Sequence, residues 1–216
     1  MISVVIPALN AQAVLPRCFD SLIGATVRGL VKEVIVADGG SGDDTLTIAD
    51  AAGCHVVRAD KDRGAQLAAG ARAARGDWLL FLHPETALEP GWENEAEAFM
   101  ARTTLEKPRA ASFRFALDDF EPRARRRERV AALRGHLFAL PYGDQGLLIS
   151  KRLYQKIGGY RAGTMADADL VRRIGRARLV QLRARAINAA QAAPRPRLLA
   201  LLHALRLPRA ALARFG

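Results

Sequence analysis

Short continuous runs of large apolar residues are separated by helical patterns along the first 83 residues of the chain. Continuous apolar runs of this kind are typical of strands that are buried on both faces, as in a parallel sheet. The runs that predict strands lie at residues 3–7, 31–37, 55–58 and 78–82. The stretches with helical spacing or alanine-rich composition lie at residues 13–24, 44–52 and 64–75. This βαβ alternation predicts an α/β fold, with a mostly parallel central sheet flanked by helices and a Rossmann-like first half.

The second half of the chain has a less regular pattern. We predict strands at residues 110–117, 147–150 and 179–182, and helices at residues 92–105, 151–157 and 167–174. A single domain would then cover residues 1–182, with halves at residues 1–105 and 106–182. Residues 183–216 would form a basic C-terminal extension, either helical or a tail.

The run at residues 78–82 is followed directly by His83, Pro84 and Glu85. Proline cannot donate to a strand ladder, so the strand is predicted to end there. His83 and Glu85 then lie just past the carboxyl end of a buried strand, where open α/β sheets bind ligands. Three roles are open for this pair: a metal site, a substrate contact or the closure of a turn.

Two earlier loops also follow predicted strands and are expected at the same edge of the sheet. Asn10 lies in the first loop, and Asp38-Gly39-Gly40-Ser41 opens the second. Asp38 can accept hydrogen bonds from a nucleobase or ribose while Gly39 lets the backbone pass close by. An ordinary strand-to-helix turn is the alternative. The chain has no Gly-x-Gly-x-x-Gly or P-loop motif, which disfavours a Rossmann dehydrogenase or a P-loop enzyme.

The composition favours a folded protein with reduced thiols. Half of the residues are hydrophobic, which disfavours disorder throughout the chain. Cys18 and Cys54 do not suggest a disulfide framework, and a cytoplasmic location is the simpler interpretation. We expect neither a signal peptide nor a membrane span, since the apolar run at residues 198–202 is far too short to cross a bilayer.

The net charge of +11 is unevenly distributed. Residues 1–100 carry 8 Lys/Arg and 14 Asp/Glu, whereas residues 101–216 carry 25 and 8. This asymmetry predicts an anionic partner for the second half, and general use of arginine for solubility is the alternative. Nucleic acid is not expected as that partner, because the arginine cluster at residues 123–129 has no interleaved aromatic residues.

Three stretches together resemble the family 2 glycosyltransferases of GT-A fold. They are Val4-Val5-Ile6-Pro7-Ala8-Leu9-Asn10, Val34-Ile35-Val36-Ala37-Asp38-Gly39-Gly40-Ser41-Gly42-Asp43-Asp44-Thr45 and Gly76-Asp77-Trp78-Leu79-Leu80-Phe81-Leu82-His83. Two later stretches, Tyr142-Gly143-Asp144-Gln145-Gly146 and Gly158-Gly159-Tyr160, are similar to a bacterial branch associated with radical-SAM and selenium-domain proteins. The resemblance implies an inverting transfer of a sugar from a nucleoside diphosphate sugar to an unidentified hydroxyl.

The resemblance also implies a role for each matching position. The positions implied to contact the nucleotide or the donor are Pro7, Leu9, Asn10, Asp38, Gly39 and Arg63. Those implied to line the acceptor side are Tyr142, Asp144 and Gln145. A divalent metal, Mn²⁺ or Mg²⁺, would be held by Glu85, with His83 as a secondary ligand, and would neutralise the leaving diphosphate. Asp167 would be the general base toward the acceptor hydroxyl, and a helix N-cap is its alternative role.

The chain departs from the family pattern at several places, and around Gln66 the polar residues of the branch are replaced by Ala65, Ala68 and Ala69. Ala11 stands where an acidic residue usually follows Asn10. Glu85 is a single carboxylate where many members have two aspartates, and Ala166 leaves Asp167 without an acidic neighbour. These departures motivate the alternative of a catalytically weakened or inactive nucleotide-sugar-binding protein on the same fold.

The C-terminal extension has leucines at helical spacing among arginines, within residues 195–214. This pattern fits an amphipathic segment on an anionic membrane surface, a helix packed on the domain, or a tail. Because many members of the family act on lipid-linked acceptors, the resemblance adds a lipid-linked or membrane-located acceptor, with the protein peripheral at the inner face of the membrane.

Overall fold

The structure is a computed structural model, and it describes residues 1–104, 106–118, 143–163 and 165–189. The strands are β1 (Ile2–Ala8), β2 (Val31–Asp38), β3 (His55–Arg58), β4 (Trp78–Phe81), β5 (Thr86–Leu88), β6 (Ala110–Asp118), β7 (Leu147–Ser150) and β8 (Leu179–Ala189). The α-helices are α1 (Leu15–Asp20), α2 (Ile23–Val27), α3 (Thr45–Ala51), α4 (Arg63–Ala73), α5 (Trp92–Arg102), α6 (Lys151–Lys156) and α7 (Ala166–Ile174). Two 3₁₀ turns lie at Gly143–Gln145 and Arg176–Arg178.

The strands form one sheet in the order β3-β2-β1-β4-β7-β6-β8-β5. The first four strands are all parallel, as the βαβ alternation predicted. Strand β7 lies antiparallel to β4 and β6, β8 is parallel to β6, and β5 pairs antiparallel with β8. Four of these seven pairings are therefore parallel, which confirms an α/β domain with a mostly parallel sheet.

Helices cover both faces of the sheet, so its central strands are buried on both sides. All seven residues of β1 are buried. Val4 and Ile6 face a core shared with α1, α2, α3 and α5. Val5 faces a second core shared with α4, α6 and α7. The continuous apolar pattern of β1 follows directly from this position between two helical layers.

A buried carboxylate joins the starts of β1 and β4 to β2. Glu33 accepts hydrogen bonds from the Ser3 hydroxyl at 2.6 Å and from the Arg75 amide at 2.6 Å, and the Arg75 guanidinium adds a third at 2.9 Å. Burial opposes ionisation of Glu33, but these donors outweigh that effect and lower its pKa below the usual value of 4.5. The ionised form of Glu33 therefore stabilises the amino-terminal edge of the sheet.

Three element predictions need correction. The helix predicted at residues 13–24 is two short helices, which separate at Ser21 and Leu22. Strand β5 was not predicted, because it is three residues long and depends on β8 for its partner. Strand β8 continues seven residues past the predicted end at residue 182, so the predicted domain boundary falls inside a strand.

The full length of β8 was not predicted, because its arginines interrupt the apolar pattern. Its register against β6 shifts near residue 183. The amides of Arg183 and Ala184 donate to the Glu95 carboxylate at 2.7 and 3.1 Å instead of to a neighbouring strand. A distant side chain thus supports backbone groups that the local sequence leaves without a ladder partner.

The predicted arginine cluster at residues 123–129 and the amphipathic pattern at residues 195–214 lie outside the described residues. Within the described ranges, no helix has the length and apolar character needed to cross a membrane.

Candidate functional site

The loops that follow β1 and β2 are tied together by hydrogen bonds. The Asn10 amide donates to the Ser41 hydroxyl at 2.9 Å, and the Asn10 side-chain oxygen accepts from the Gly42 amide at 2.9 Å. Asn10 adopts a left-handed conformation with φ of 51°, which asparagine tolerates better than most residues. The Ala11 amide donates to the Thr45 hydroxyl at 2.8 Å. The two loops therefore form one unit at the carboxyl edge of the sheet.

The position of Ala11 explains one departure from the family pattern. Ala11 is only 4% exposed and packs in the core on the side of α1. A carboxylate at this position would be buried, which is costly without a partner. Alanine is therefore the residue type that this interior position favours.

Asp38 ends β2 and is almost fully buried, with 2% of its surface exposed. Its carboxylate accepts hydrogen bonds from the Gly40 amide at 2.9 Å, from the Ser41 amide at 3.2 Å and from the Ser41 hydroxyl at 2.6 Å. These bonds fix the turn that joins β2 to α3. Asp38 thus takes the turn-forming role that was the alternative to base recognition, and a contact with a nucleotide would use the remaining lone pairs.

The other predicted residues of this pocket differ in exposure. Pro7 is buried in β1, where it pairs in register with Ala37. Leu9 is 42% exposed and presents an apolar side chain at the edge of the sheet. Pro7 therefore supports the strand, and Leu9 offers surface on which a planar base could pack.

Gln66 was not among the predicted site residues, yet it packs against the Asp38–Ser41 turn. Its amide nitrogen donates to the Ala8 carbonyl at 3.2 Å, and the residue is 3% exposed. A Cβ on Gly39 would lie 2.1 Å from that nitrogen, so a larger residue at this position would displace the Gln66 amide. The missed signal was a polar residue within an otherwise apolar and alanine-rich helical stretch.

A short polar chain connects α4 to α7. The Arg63 guanidinium lies 3.2 Å from one carboxylate oxygen of Asp167, and the Tyr160 hydroxyl donates to the other oxygen at 3.0 Å. Burial, and then the negative charge of Asp167, raise the pKa of Tyr160 well above its ordinary value. Tyr160 is therefore a neutral donor at physiological pH, and it holds the Asp167 carboxylate in place.

The alternative role of Asp167 as a helix N-cap is wrong. Helix α7 begins at Ala166, its N-cap is Met165, and Asp167 lies inside the first turn. The carboxylate instead lines a small cavity, about large enough for a water molecule. The residues of this cavity are Arg63, Leu67, Phe81, Leu82, Leu147, Tyr160 and Asp167. The carboxylate of Asp167 and the guanidinium of Arg63 thus lie next to apolar side chains at the carboxyl end of β4.

The residues after β4 form a tight turn held from β8. The Thr86 amide donates to the His83 carbonyl at 3.0 Å, and the Thr86 hydroxyl donates to the Asn188 side-chain oxygen at 2.7 Å. His83 is 6% exposed, whereas Glu85 is half-buried. Among the described residues, no hydrogen bond or ion pair links Glu85 to Asp167.

The chemistry of this turn fits a hard divalent cation only in part. The described residues contain no group of three or more His, Cys, Asp or Glu side chains that could hold a metal. Mg²⁺ is often bound by one or two carboxylates together with substrate phosphates, rather than by a cage made of protein alone. Glu85 can supply that one carboxylate, and an imidazole such as His83 is a less typical ligand for Mn²⁺ or Mg²⁺.

On the predicted acceptor side, Asp144 and Gln145 lie in the 3₁₀ turn before β7, and Tyr142 lies outside the described residues. The Asp144 carbonyl accepts from the Asn188 side-chain nitrogen at 2.8 Å. Gln145 is 3% exposed, and its side-chain oxygen has no hydrogen-bond partner within the described part of the chain. Asn188, a second residue missed from the sequence, therefore joins this turn to the turn after β4.

These features define the fold as that of the GT-A glycosyltransferases. A crystal structure of glucosyl-3-phosphoglycerate synthase from Mycobacterium tuberculosis, in complex with Mn²⁺, uridine-diphosphate-glucose and phosphoglyceric acid, is similar with a TM-score of 0.69. The match has 25% sequence identity and covers 96% of this chain and 80% of that chain. A crystal structure described as a mycobacterial protein gives a TM-score of 0.69 at 22% identity, covering 96% of this chain and 76% of that chain.

The similarity of the sequence to a known family lies in the first half of the chain. Residues 3–108, just under half of the chain, match the family model for glycosyl transferase family 2. A PGL/p-HBAD biosynthesis glycosyltransferase of Mycobacterium bovis (strain BCG / Pasteur 1173P2) is 39% identical over 95 residues, which is 41% of this chain and 36% of that protein. Glucosyl-3-phosphoglycerate synthase of Mycobacterium tuberculosis (strain ATCC 25618 / H37Rv) is 40% identical over 90 residues, which is 38% of this chain and 28% of that protein. The matches thus span well under half of each relative.

Proposed function

We propose that the whole chain is a family 2 glycosyltransferase that moves a sugar from a nucleoside diphosphate sugar to a hydroxyl group, with inversion at the anomeric carbon. The observation that carries this proposal is the Arg63–Asp167–Tyr160 chain, which holds a carboxylate at the wall of a small cavity beside the carboxyl end of β4. The similarity to a structure in complex with uridine-diphosphate-glucose supports the choice of donor class.

The first half of the chain binds the donor in this proposal. The unit formed by the loops after β1 and β2 is held in place before any ligand arrives, which lowers the entropic cost of binding. Leu9 packs on the base, and Gly39 allows the backbone to approach it. Asp38 contributes mainly by fixing the turn through its own hydrogen bonds.

Glu85 is the residue that would hold a divalent metal, with His83 beside it in the sequence. When bound there, Mn²⁺ or Mg²⁺ would supply charge neutralisation for the leaving diphosphate. The solved structures that contain uridine diphosphate with Mn²⁺ or with Mg²⁺ support this cofactor class.

Asp167 acts as the general base in this proposal. One of its oxygens accepts the hydrogen bond from Tyr160 and the other forms the ion pair with Arg63, and each keeps a lone pair for a proton from the acceptor hydroxyl. The acceptor oxygen attacks the anomeric carbon on the face opposite the leaving group. The new glycosidic bond forms as the bond to the diphosphate breaks, and the proton passes to Asp167. Arg63 and Tyr160 hold the carboxylate in the orientation for this transfer.

The second half supplies the acceptor side, with Asp144 and Gln145 at its edge and Tyr142 included by resemblance. We extend the proposal to the bacterial branch associated with radical-SAM and selenium-domain proteins and to a cytoplasmic location. The catalytic unit predicted at residues 1–182 is extended to the end of β8 at residue 189. A lipid-linked acceptor at the inner face of the membrane is the acceptor class to test first, with a free small-molecule hydroxyl as its competitor.

A thermal-shift panel of nucleoside diphosphate sugars, with and without Mn²⁺, tests donor binding. A ligand at one hundred times its Kd stabilises a protein by about 2.7 kcal/mol. At roughly 2–4 °C per kcal/mol for a chain of this size, the melting temperature should rise by about 5–10 °C. If no sugar nucleotide raises the melting temperature, the proposed function is wrong.

Variants then separate binding from turnover. Glu85→Gln should remove the Mn²⁺-dependent part of the shift, and Asp167→Asn should keep the shift but lose release of the nucleoside diphosphate. Asp50→Asn, on the exposed side of α3, is the matched control and should change neither. Stabilisation of the wild-type chain without any turnover would identify a binding protein instead.

A further inference from the structure

Asp62, the residue before α4, forms hydrogen bonds on two sides. One carboxylate oxygen accepts from the Ala65 amide at 2.8 Å and caps the helix. The other oxygen accepts from the Gly163 amide at 2.9 Å. Gly163 lies four residues before Asp167 in the sequence. A single side chain thus joins the start of α4, in the first half, to the segment that leads into α7.

The same junction contains a close backbone contact. A Cβ on Gly64 would lie 2.1 Å from the Arg161 carbonyl oxygen and 2.9 Å from the Ala166 Cβ, so α4 is packed directly against this segment. Between Asp62 and Gly64 lies Arg63, whose guanidinium reaches Asp167 at 3.2 Å. Three successive residues, the cap Asp62 and the first two residues of α4, therefore contact Arg161, Gly163, Ala166 and Asp167.

We propose that Asp62 is a positioning residue, which sets the distance between Arg63 and Asp167 by holding the segment at Gly163. This inference rests on the proposed function, in which Asp167 is the general base. Asp62 contacts no reacting atom and acts through its two neighbours in the site. Its second oxygen serves this role, because a helix cap needs only the first.

Asp62 needs two acceptor oxygens because both of its hydrogen-bond partners, the amides of Ala65 and Gly163, are donors. Asparagine keeps one oxygen and is a good N-cap, but its amide nitrogen would face an N–H group. Asp62→Asn therefore keeps the cap and removes the link to Gly163, whereas Asp62→Ala removes both. If Asp62 served only the stability of the fold, the loss of activity would follow the loss of stability. Asp62→Ala would then be less active than Asp62→Asn.

The experiment compares Asp62→Asn and Asp62→Ala with the wild-type chain, using UDP-glucose and Mn²⁺ as the probe and release of UDP as the readout. We expect both variants to lower kcat by a similar factor, on the order of tenfold to a hundredfold, with little change in KM for UDP-glucose. The melting temperature should fall more for Asp62→Ala than for Asp62→Asn. Wild-type kcat in Asp62→Asn would overturn the proposal.

Glu95→Ala is the matched control for Asp62→Ala. Glu95 also accepts two backbone N–H bonds, at 2.7 and 3.1 Å and both with Oε2, but it lies on α5 and contacts β8 on the other face of the sheet. The alanine variant removes both bonds, so it should lose stability comparable to that of Asp62→Ala and keep wild-type kcat. An equal loss of kcat in this control would also overturn the proposal, because it would show a general effect of stability.

Hydrogen exchange distinguishes failure of this proposal from failure of the proposed function. In Asp62→Asn, the amide of Gly163 should exchange faster, while amides within α4 keep their wild-type rates. If the wild-type chain releases no UDP from any donor, the proposed function fails, and faster exchange at Gly163 would still support the link. Equal exchange at Gly163 in the variant and the wild type overturns the role of Asp62, whatever the activity.

Discussion

Replacing Gly64 with alanine tests the contact between α4 and the segment before α7. Alanine normally stabilises a helix relative to glycine by about 0.8–1.0 kcal/mol. Here its Cβ would lie 2.1 Å from the Arg161 carbonyl oxygen, so the backbone must move by on the order of 1 Å to reach an ordinary contact distance. Overpacking of this kind costs about 1–3 kcal/mol. The net destabilisation is therefore up to about 2 kcal/mol.

The assay is thermal unfolding together with release of UDP from UDP-glucose. At roughly 2–4 °C per kcal/mol, the melting temperature of Gly64→Ala should fall by up to about 8 °C. A displacement of this size between Arg63 and Asp167 should also lower kcat by as much as about a hundredfold.

Gly24→Ala is the matched control, because Gly24 lies in α2 and a Cβ there would be 3.8 Å from its nearest neighbour, Glu93 Oε1. Its melting temperature should stay the same or rise. If Gly64→Ala is as stable as Gly24→Ala and fully active, the proposed packing of α4 against residues 161–166 is refuted.

Three further predictions concern groups away from this junction. Because the pKa of Glu33 is lowered in the folded protein, its stabilising contribution is complete above about pH 4.5 and disappears as the pH falls through the lowered pKa. The difference in unfolding free energy between wild type and Glu33→Gln, measured by urea titration, should therefore shrink below about pH 4.5. A difference that stays constant with pH would contradict this prediction. Asn188→Ala leaves the Thr86 hydroxyl without its buried acceptor and should cost about 1–3 kcal/mol, whereas adding Thr86→Val should cost little more in a double-mutant cycle; additive losses would show that the pair is not coupled. Burial raises the pKa of Cys18 to about 12 and that of Cys54 to about 11. At pH 8, iodoacetamide should therefore modify Cys54 slowly and Cys18 only on unfolding, which mass spectrometry can measure. Rapid modification of Cys18 in the folded protein would contradict its burial.

The accuracy of the element predictions followed the local apolar pattern of each strand. Strands β1 to β4 were predicted because each is a local apolar run, and β1, β2 and β4 are largely buried between two helical layers. The same argument placed Asn10, Asp38 and His83 at one edge, since parallel strands end on the same side of the sheet. Strand β5 and the part of β8 beyond residue 182 could not be found in this way, because their backbone groups are satisfied by each other and by distant carboxylates such as Glu95.

The sequence by itself determined which residue types stand at the edge of the sheet, and with them the class of fold. Only the tertiary structure decided how those residues are used. It brings Arg63 to Asp167 across more than a hundred residues of chain, and it turns the Asp38 carboxylate inward onto its own turn. It also recruits Gln66 and Asn188, which no motif indicates. The physical reason is that a hydrophobic pattern is local, whereas each polar side chain finds its partner only once packing has fixed which donors and acceptors lie within reach.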